Sequence, residues 1–283
     1  MNHKNLDSWK SAMKRIANER NLDVQDVQQR YVLEEFARKI EVSKHQDSLV
    51  LKGGFVVSTI LGLDTRTTRD IDMTCRSTIY SEDDLKGLLN DIVNSKAETM
   101  FDYHLESIKY AQEDDVNSGF IAWFVAKQDK TEIKFKLDIS NNTFIYPNAL
   151  RTSLASLFSD EHINLMTYPL ESIIAEKLET TLDRGELNGR MRDLVDIYLL
   201  MGNNGSMIDE ELLANTIIEV SKDRGTLANL KESSEIIQSL SESKIFNSNF
   251  IKYVEFNYPN LMITLGQVFE KFNDILGKLN GKL

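Results

Sequence analysis

Cysteine, proline and long apolar runs are scarce in this sequence of 283 residues. Cys75 is the only cysteine, which excludes an internal disulfide, and there are three prolines. No apolar run approaches the roughly 18 residues that a membrane-spanning helix needs. The first 20 residues lack the apolar core of a secretory signal, so we expect a cytoplasmic protein with no membrane association.

Positive charge is also in short supply. The formal net charge is −11, which argues against a general attraction to nucleic acid or anionic lipid, so no non-specific DNA binding is expected. Any polyanion must therefore meet bound cations or a local basic patch. Two segments are candidates for such a patch, although both are more typical of ordinary solvated faces: Lys10, Lys14, Arg15 and Arg20, and Lys127, Lys130, Lys134 and Lys136.

The pattern of elements predicts an α+β protein with two parts. Residues 1–165 read as N-terminal helices and a small mixed sheet, with one hairpin around "KQDK" and a second strand pair around "SDEH". Residues 166–283 read as a helical domain, because apolar residues recur there at spacings of three and four. With so few prolines, the two parts are expected to be joined closely.

The stretch "LKGGFVVSTILGLDTRTTRDIDMTC", from Leu51 to Cys75, carries the strongest functional signal. Gly53 and Gly54 fall between a predicted strand and a predicted helix, where backbone N–H groups are able to receive a phosphate. Asp70 and Asp72 then alternate with apolar residues, so both carboxylates project from one face of a strand, roughly 6.5–7 Å apart. A solvent-exposed strand edge with two surface acids is the simpler alternative.

Two carboxylates so close repel each other unless one is protonated or a cation lies between them. Hard oxygen ligands on a rigid strand suit Mg²⁺. Asp138 lies on the polar face of a later strand with Lys136, and is a third candidate for holding a cation or activating a hydroxyl. Taken alone, that strand also reads as an amphipathic edge facing water.

Several further charged residues have both a structural and a functional interpretation. Lys177 lies at the edge of an apolar helical stripe, where it either extends along the surface or reaches a triphosphate. Asp193 and Asp196 share one helix face, and Arg192 with Asp196 would form an ordinary surface salt bridge. Arg66 and Arg69 precede Asp70 and Asp72. They either bind phosphate or neutralise the negative charge of the nearby acids.

Taken together, "LKGG", "RTTRDIDM", the "KLD" strand, "AEKL" and "RDLVDIY" resemble the AbiEii/AbiGii toxin family, over about residues 50–200. The resemblance implies a polymerase-β-like nucleotidyltransferase core followed by a C-terminal helical bundle. It also implies a toxin of a bacterial toxin–antitoxin or abortive-infection, phage-defence system, with a cognate antitoxin protein as partner.

The resemblance carries over to individual positions. Asp70, Asp72 and Asp138 match the metal-binding acids, for which two Mg²⁺ ions are expected. The catalytic set is Asp70, Asp72, Asp138, Lys177 and Asp193. The nucleotide-binding set is Lys52, Gly53, Gly54, Ser58, Arg69, Lys136 and Asp196. Glu176 belongs with Lys177 in the third motif.

One departure from the wider superfamily is clear in the first motif. Many members have Gly-Ser where this chain has Gly53-Gly54, so a serine hydroxyl is not available to the phosphate. Backbone amides, Lys52 or Ser58 would serve instead.

The implied reaction moves a nucleoside monophosphate from an NTP to an acceptor hydroxyl with release of pyrophosphate, and a tRNA 3′ end is one expected acceptor. Two alternatives share the same motifs. One is a small-molecule nucleotidyltransferase of the antibiotic-modifying kind, and the other is a catalytically silent module that binds a partner protein.

Overall fold

The computed structural model describes residues 5–63, 65–77, 79, 81–111, 119–141, 143–203 and 207–279. The chain divides into two compact units, Met1–Thr143 with Ala149–Tyr168, and Phe144–Asn148 with Pro169–Leu283. The last strand of the first unit runs from His162 to Thr167. The boundary expected near residue 165 stays a prediction.

The first unit contains a mixed sheet, as predicted. Its strands within the described residues are β1 (Leu49–Lys52), β2 (Asp70–Cys75), β3 (Asp102–Tyr110), β4 (Phe120–Gln128), β5 (Thr131–Asn141), β6 (Leu150–Ala155) and β7 (His162–Thr167). Their order across the sheet is β3-β4-β5-β2-β1-β7-β6. Strand β2 runs parallel to β5, and β1 runs parallel to β7, whereas the other neighbours are antiparallel.

Both predicted strand pairs are present. Strands β4 and β5 form the hairpin around "KQDK", and β6 pairs with β7 around "SDEH". Strand β3 has no counterpart among the predicted strands. It lies at the sheet edge and buries only Tyr103 fully, so its apolar alternation is too weak to be read from the sequence.

Helices of the first unit, within its described residues, are α1 (Leu6–Arg20), α2 (Val24–Glu41), α3 (Gly53–Leu61) and α4 (Glu82–Val93). Ser81 caps α4, accepting the N–H of Asp84. Helix α2 covers the apolar face of the sheet, where the Phe36 ring lies 5.2 Å from that of Phe135. The polar residues of β2 and β5 therefore project from the opposite face.

A buried arginine joins α2 to α3. Arg30 is 1% exposed and its Nε donates to Glu34 Oε1 over 2.9 Å. The other guanidinium nitrogens donate to Ser58 Oγ at 2.6 Å and to Thr59 Oγ1 at 2.5 Å. Because α3 starts at the glycine pair, this network fixes the helix whose first residues are Gly53 and Gly54.

We expect Arg30→Met to destabilise the protein by about 3–5 kcal/mol, because it leaves Glu34 as a buried carboxylate without its cation. Arg15→Met is the matched control, since Arg15 and Glu19 have the same i,i+4 spacing on an exposed helix face. Its effect should stay within about 0.5 kcal/mol. Urea unfolding of both variants measures the difference, and equal losses would contradict the role given to Arg30.

The second unit is helical, as predicted from Pro169 onward. Its helices within the described residues are α5 (Leu170–Arg184), α6 (Met191–Asn203), α7 (Glu210–Asp223), α8 (Leu227–Lys231), α9 (Ser233–Glu242), α10 (Lys244–Asn257) and α11 (Leu265–Gly277). The Thr264 side chain caps α11 in a capping box with Gln267, which sets its first residue at Leu265.

Among the described residues, none of the helices combines the length and the apolar character required to cross a lipid bilayer.

Candidate active site

The candidate site of the first unit is a row of charged side chains on the polar face of the sheet. The parallel register of β2 and β5 places Asp70 beside Lys136 and Asp72 beside Asp138. On the other side of β2, Lys52 of β1 is opposite Asp72. Ile71 and Met73 are fully buried on the apolar face, as predicted. The three acids are thus brought together by strand pairing.

Lys136 lies between two of these carboxylates. Its Nζ is 2.6 Å from Asp138 Oδ2 and 3.6 Å from Asp70 Oδ2. Thr68 Oγ1 donates to Asp70 Oδ1 over 3.0 Å and holds that side chain from the other direction. Asp70 and Asp138 remain partly exposed, so their oxygens are accessible to a ligand.

Asp72 lies against the glycine pair at the start of α3. Its Oδ2 accepts the backbone N–H of Gly54 over 3.2 Å. Burial raises the pKa of Asp72, the charge of Asp70 raises it further, and the Gly54 N–H acts in the opposite direction. Burial and the charge of Asp70 thus disfavour the ionised form of Asp72. A cation bound beside the carboxylate would stabilise that form.

The glycine pair fits closely against this row. Gly53 has a φ of +60°, and a Cβ on it would lie 2.3 Å from Asp72 Oδ2. A Cβ on Gly54 would lie 2.8 Å from Thr68 Oγ1 and 3.0 Å from the Arg66 guanidinium. A side chain at residue 54 would therefore require Thr68 and Arg66 to shift.

Gly53→Ala tests the closeness of this contact. We expect both a loss of stability of about 1–3 kcal/mol from the left-handed backbone and a loss of function from displacement of Asp72. Gly62→Ala is the control, since Gly62 has a φ of +84° but a Cβ on it would meet nothing within 4 Å. Labelled-NTP transfer should fall at least about tenfold further in Gly53→Ala than in Gly62→Ala, the size of effect that a misplaced site residue produces. Equal transfer rates would contradict it.

Three predicted nucleotide ligands have other partners in the structure. Lys52 Nζ donates to Ser140 Oγ over 2.8 Å and lies 5.5 Å from the centroid of the Tyr168 ring, still beside Asp72. Ser58 is fully buried, donates to the Phe55 carbonyl and accepts from Arg30, so its hydroxyl has a role in the core. Arg69 extends to Asp26 of α2.

Sequence reasoning did not single out Thr68, Thr74, Ser140 or Tyr168. Thr74 Oγ1 lies 2.9 Å from both Ser140 Oγ and Tyr168 OH. Alternation gave a usable signal for two of them, because Thr74 follows Asp72 by two residues and Ser140 follows Asp138 by two. Both therefore share the polar face of the acids.

The donor set suits a hard divalent cation. Asp70, Asp72 and Asp138 offer carboxylate oxygens, which Mg²⁺ prefers, and the Lys136 ammonium already lies between two of them as a cation. In the part of the chain that the structure describes, no three His, Cys, Asp or Glu side chains are arranged closely enough to hold a metal ion as they stand. Binding would therefore require side-chain movement.

A second charged cluster lies within the second unit. Lys177 on α5 pairs with Asp193 and Asp196 on α6, with 2.9 Å between Lys177 Nζ and Asp196 Oδ2. The Asp196 side chain is 0% exposed and that of Lys177 is 12% exposed. Burial acts to lower the pKa of Lys177, but Asp196 and Asp193 outweigh it and raise the pKa. The two aspartates thus favour the charged form of Lys177.

The alternative of a surface salt bridge between Arg192 and Asp196 is wrong, because the Asp196 side chain is fully buried and pairs with Lys177. Arg192 Nε instead donates to Tyr253 OH over 3.2 Å. Glu176, next to Lys177, lies 3.3 Å from Arg224 at the end of α7. Lys177, Asp193 and Asp196, the candidates from "AEKL" and "RDLVDIY", form one cluster in which Lys177 contacts both aspartates.

The seven-stranded mixed sheet with its flanking helices is a nucleotidyltransferase fold, and comparisons with solved structures agree. JHP933 from Helicobacter pylori aligns with a TM-score of 0.53 at 18% identity, covering 92% of this chain and 96% of that one. MenT4, a nucleotidyltransferase toxin from Mycobacterium tuberculosis H37Rv, aligns with a TM-score of 0.58 at 13% identity, covering 95% and 98%. At such identities the likeness shows the fold alone.

Family membership rests on the sequence. The profile of the AbiEii nucleotidyl transferase toxins, of type IV toxin–antitoxin systems, matches residues 36–259. The chain belongs to this family, which confirms the resemblance and extends it beyond residues 50–200. No curated protein sequence matches the chain.

Proposed function

We propose that this toxin-family protein transfers a nucleoside monophosphate from an NTP to an acceptor hydroxyl and releases pyrophosphate. The observation that carries the proposal is the row of Asp70, Asp72 and Asp138 directly beside a glycine pair at a helix start. The carboxylates supply cation ligands, and the adjoining backbone has no side chain to keep a triphosphate away.

The triphosphate would bind at the start of α3. This helix has nine residues, and within the described residues its N-cap residue Lys52 makes no side-chain capping hydrogen bond. The positive end of the helix dipole and the Lys52 ammonium both favour an anion there. Lys136 is close enough to the acids to reach the same phosphates. Ser58 is left out of this role because of its core contacts.

Asp70, Asp72 and Asp138 would hold Mg²⁺ together with the nucleotide. Bound Mg²⁺ would neutralise charge on the transferred phosphoryl group and favour ionisation of the acceptor hydroxyl. Their partial exposure and carboxylate chemistry support this assignment, and so does the raised pKa of Asp72, which burial and Asp70 cause.

The proposed chemical step forms one bond and breaks one. The acceptor oxygen attacks the α-phosphorus, the bond from that phosphorus to the bridging oxygen of the β-phosphate breaks, and pyrophosphate leaves. The acceptor proton passes to Asp138, which is positioned on β5 next to Asp72. Asp138 would then return the proton to solvent.

For Lys177 we propose the electrostatic role in transfer that the family resemblance implies. Within its own unit this is supported by Asp193, which contacts the ammonium and acts as a positioning residue. Asp196 anchors the same ammonium from inside the helical unit. Because both aspartates raise the pKa of Lys177, we assign it an electrostatic role and no role as a base.

An RNA 3′ hydroxyl, tRNA included, is the acceptor that the family resemblance favours. The basic residues of the β4–β5 hairpin give this little support, since Lys127 pairs with Glu132 and Lys134 with Glu106. A contact surface for RNA would have to lie elsewhere. A cognate antitoxin and a cytoplasmic location are further parts of this proposal.

The test is incubation with each α-labelled NTP, Mg²⁺ and two acceptor pools, total RNA and a small-molecule extract. Label at RNA 3′ ends, with one pyrophosphate released per transfer, is the expected result. Label in the small-molecule pool would keep the enzyme class and change the acceptor. Absence of transfer to both pools, with no Mg²⁺-dependent thermal stabilisation by any NTP, would overturn the proposal in favour of a silent binding module.

A further inference from the structure

Lys136 has an unusual position for a strand lysine. Three carboxylates and the Lys136 ammonium share a small patch of the polar sheet face, at paired positions of β2 and β5, and Lys52 of β1 lies opposite Asp72. The ammonium does not extend into solvent but lies 2.6 Å from Asp138 and 3.6 Å from Asp70. The ammonium thus lies between two carboxylates, at a position where a bound metal ion would be attracted by both.

The neighbouring lysine on the same face behaves differently. Lys134 lies two residues earlier on β5 and pairs with Glu106 on the edge strand β3, at 3.1 Å. Its side chain is 68% exposed, against 39% for Lys136. The contacts of Lys136 therefore reflect its place among the acids and are not a general property of lysines on this strand.

A lysine in this position has a direct consequence for ion binding. The Asp138 oxygen that contacts Lys136 cannot at the same time offer its full charge to a divalent ion. A positive group a few ångströms from an incoming divalent cation also repels it. Both effects lower the affinity of the acids for an ion that arrives alone.

We propose that Lys136 is a built-in competitor of the divalent cation, whose ammonium must leave Asp138 and Asp70 before these carboxylates can bind an ion. This inference rests on the proposed function. A triphosphate offers the displaced ammonium new acceptor oxygens, so ion and nucleotide would bind together much better than either does alone. Lys136 would in this way restrict ion binding to the substrate-loaded protein.

The direct test is Mn²⁺ binding without nucleotide, measured at low salt from the electron paramagnetic resonance signal of free Mn²⁺. Lys136→Met and Lys136→Gln should bind Mn²⁺ at least about tenfold more tightly than the unmodified protein, since a positive charge near the ion is removed. Lys136→Arg, which keeps the charge, and Lys134→Met should bind as the unmodified protein does. Unchanged or weaker binding in Lys136→Met and Lys136→Gln would overturn the inference.

A second measurement needs no variant. In a crystal with Mn²⁺ and a non-hydrolysable NTP, the Lys136 ammonium should contact a phosphate oxygen and no longer contact Asp138. An ammonium that still lies against Asp138 with both ligands bound would count against displacement.

The two proposals fail in different ways. Mn²⁺ binding that Asp72→Asn removes but Lys136→Met leaves unchanged would refute the role of Lys136 and keep the ion site. Failure of every one of these proteins to bind Mn²⁺, with and without NTP, would refute the ion site and the role of Lys136 with it.

Discussion

Asp72→Asn is expected to lower labelled-NTP transfer by about 10²–10³-fold, the loss that follows removal of one preorganised electrostatic group from a site. Asparagine keeps the shape of the side chain but removes the charge that would attract the cation. Rates at saturating NTP and Mg²⁺ measure the effect. Asp102→Asn is a matched control, because Asp102 is exposed at the start of β3, and its rate should stay unchanged.

The same substitution should not weaken the fold. Burial, together with the charge of Asp70, raises the pKa of Asp72, so its ionised form at neutral pH costs stability relative to a neutral side chain. In Mg²⁺-free buffer the melting temperature of Asp72→Asn should therefore equal or exceed that of the unmodified protein. A variant that retains near-normal transfer, or loses transfer only because it unfolds, would contradict the role assigned to Asp72.

Lys177→Met is expected to destabilise the helical unit by about 3–5 kcal/mol, because two carboxylates are left buried without their cation. Asp196 is the more costly of the two, since it is fully buried. Urea unfolding monitored by circular dichroism measures the loss. Lys222→Met provides the control, as Lys222 pairs with Glu219 on an exposed face of α7, and should change stability by less than about 1 kcal/mol.

Two further observations separate structure from function at Lys177. Adding Asp196→Asn to Lys177→Met should restore part of the stability, since one unpaired charge is removed, but it should not restore transfer. Lys177→Met with the stability of the unmodified protein would show that the cluster is not held by its ion pairs. Recovery of transfer in the double variant would show that the positive charge of Lys177 has no part in the reaction.

The alternation of apolar and polar residues along β2 and β5 made it possible to predict the face from which the acidic side chains project. Ile71 and Met73 had to face the core, so Asp70 and Asp72 had to share the opposite face, and the same argument applied to Asp138. The pairing of Asp72 with Asp138 was beyond this reasoning, because register between distant strands depends on packing and not on local pattern. Only the order of motifs typical of the family linked them beforehand.

Contacts of long side chains were the least predictable. Arg66 and Arg69 looked equivalent in the sequence, yet Arg66 is buried against Gly54 and Arg69 extends to Asp26. The position of Lys136 between two carboxylates likewise follows from three-dimensional pairing. Strand β3 was missed because an edge strand with little burial carries almost no apolar period.

The glycine pair shows how local sequence and tertiary contact combine. From the sequence, Gly53-Gly54 marked a turn between a strand and a helix. The structure adds a close contact at the second glycine, since a Cβ at residue 54 would require the Thr68 and Arg66 side chains to shift. Residue 54, which is often serine in the wider superfamily, thus packs here against the segment that precedes Asp70 and Asp72.

The most direct test of the central claim is a crystal structure with a non-hydrolysable NTP and Mn²⁺, using anomalous scattering to locate the metal. The account predicts anomalous peaks at about 2.1 Å from oxygens of Asp70 and Asp72, a distance typical of small divalent cations, with the triphosphate against Gly53 and Gly54. Metal and triphosphate bound away from β2, with both aspartates facing solvent, would contradict it.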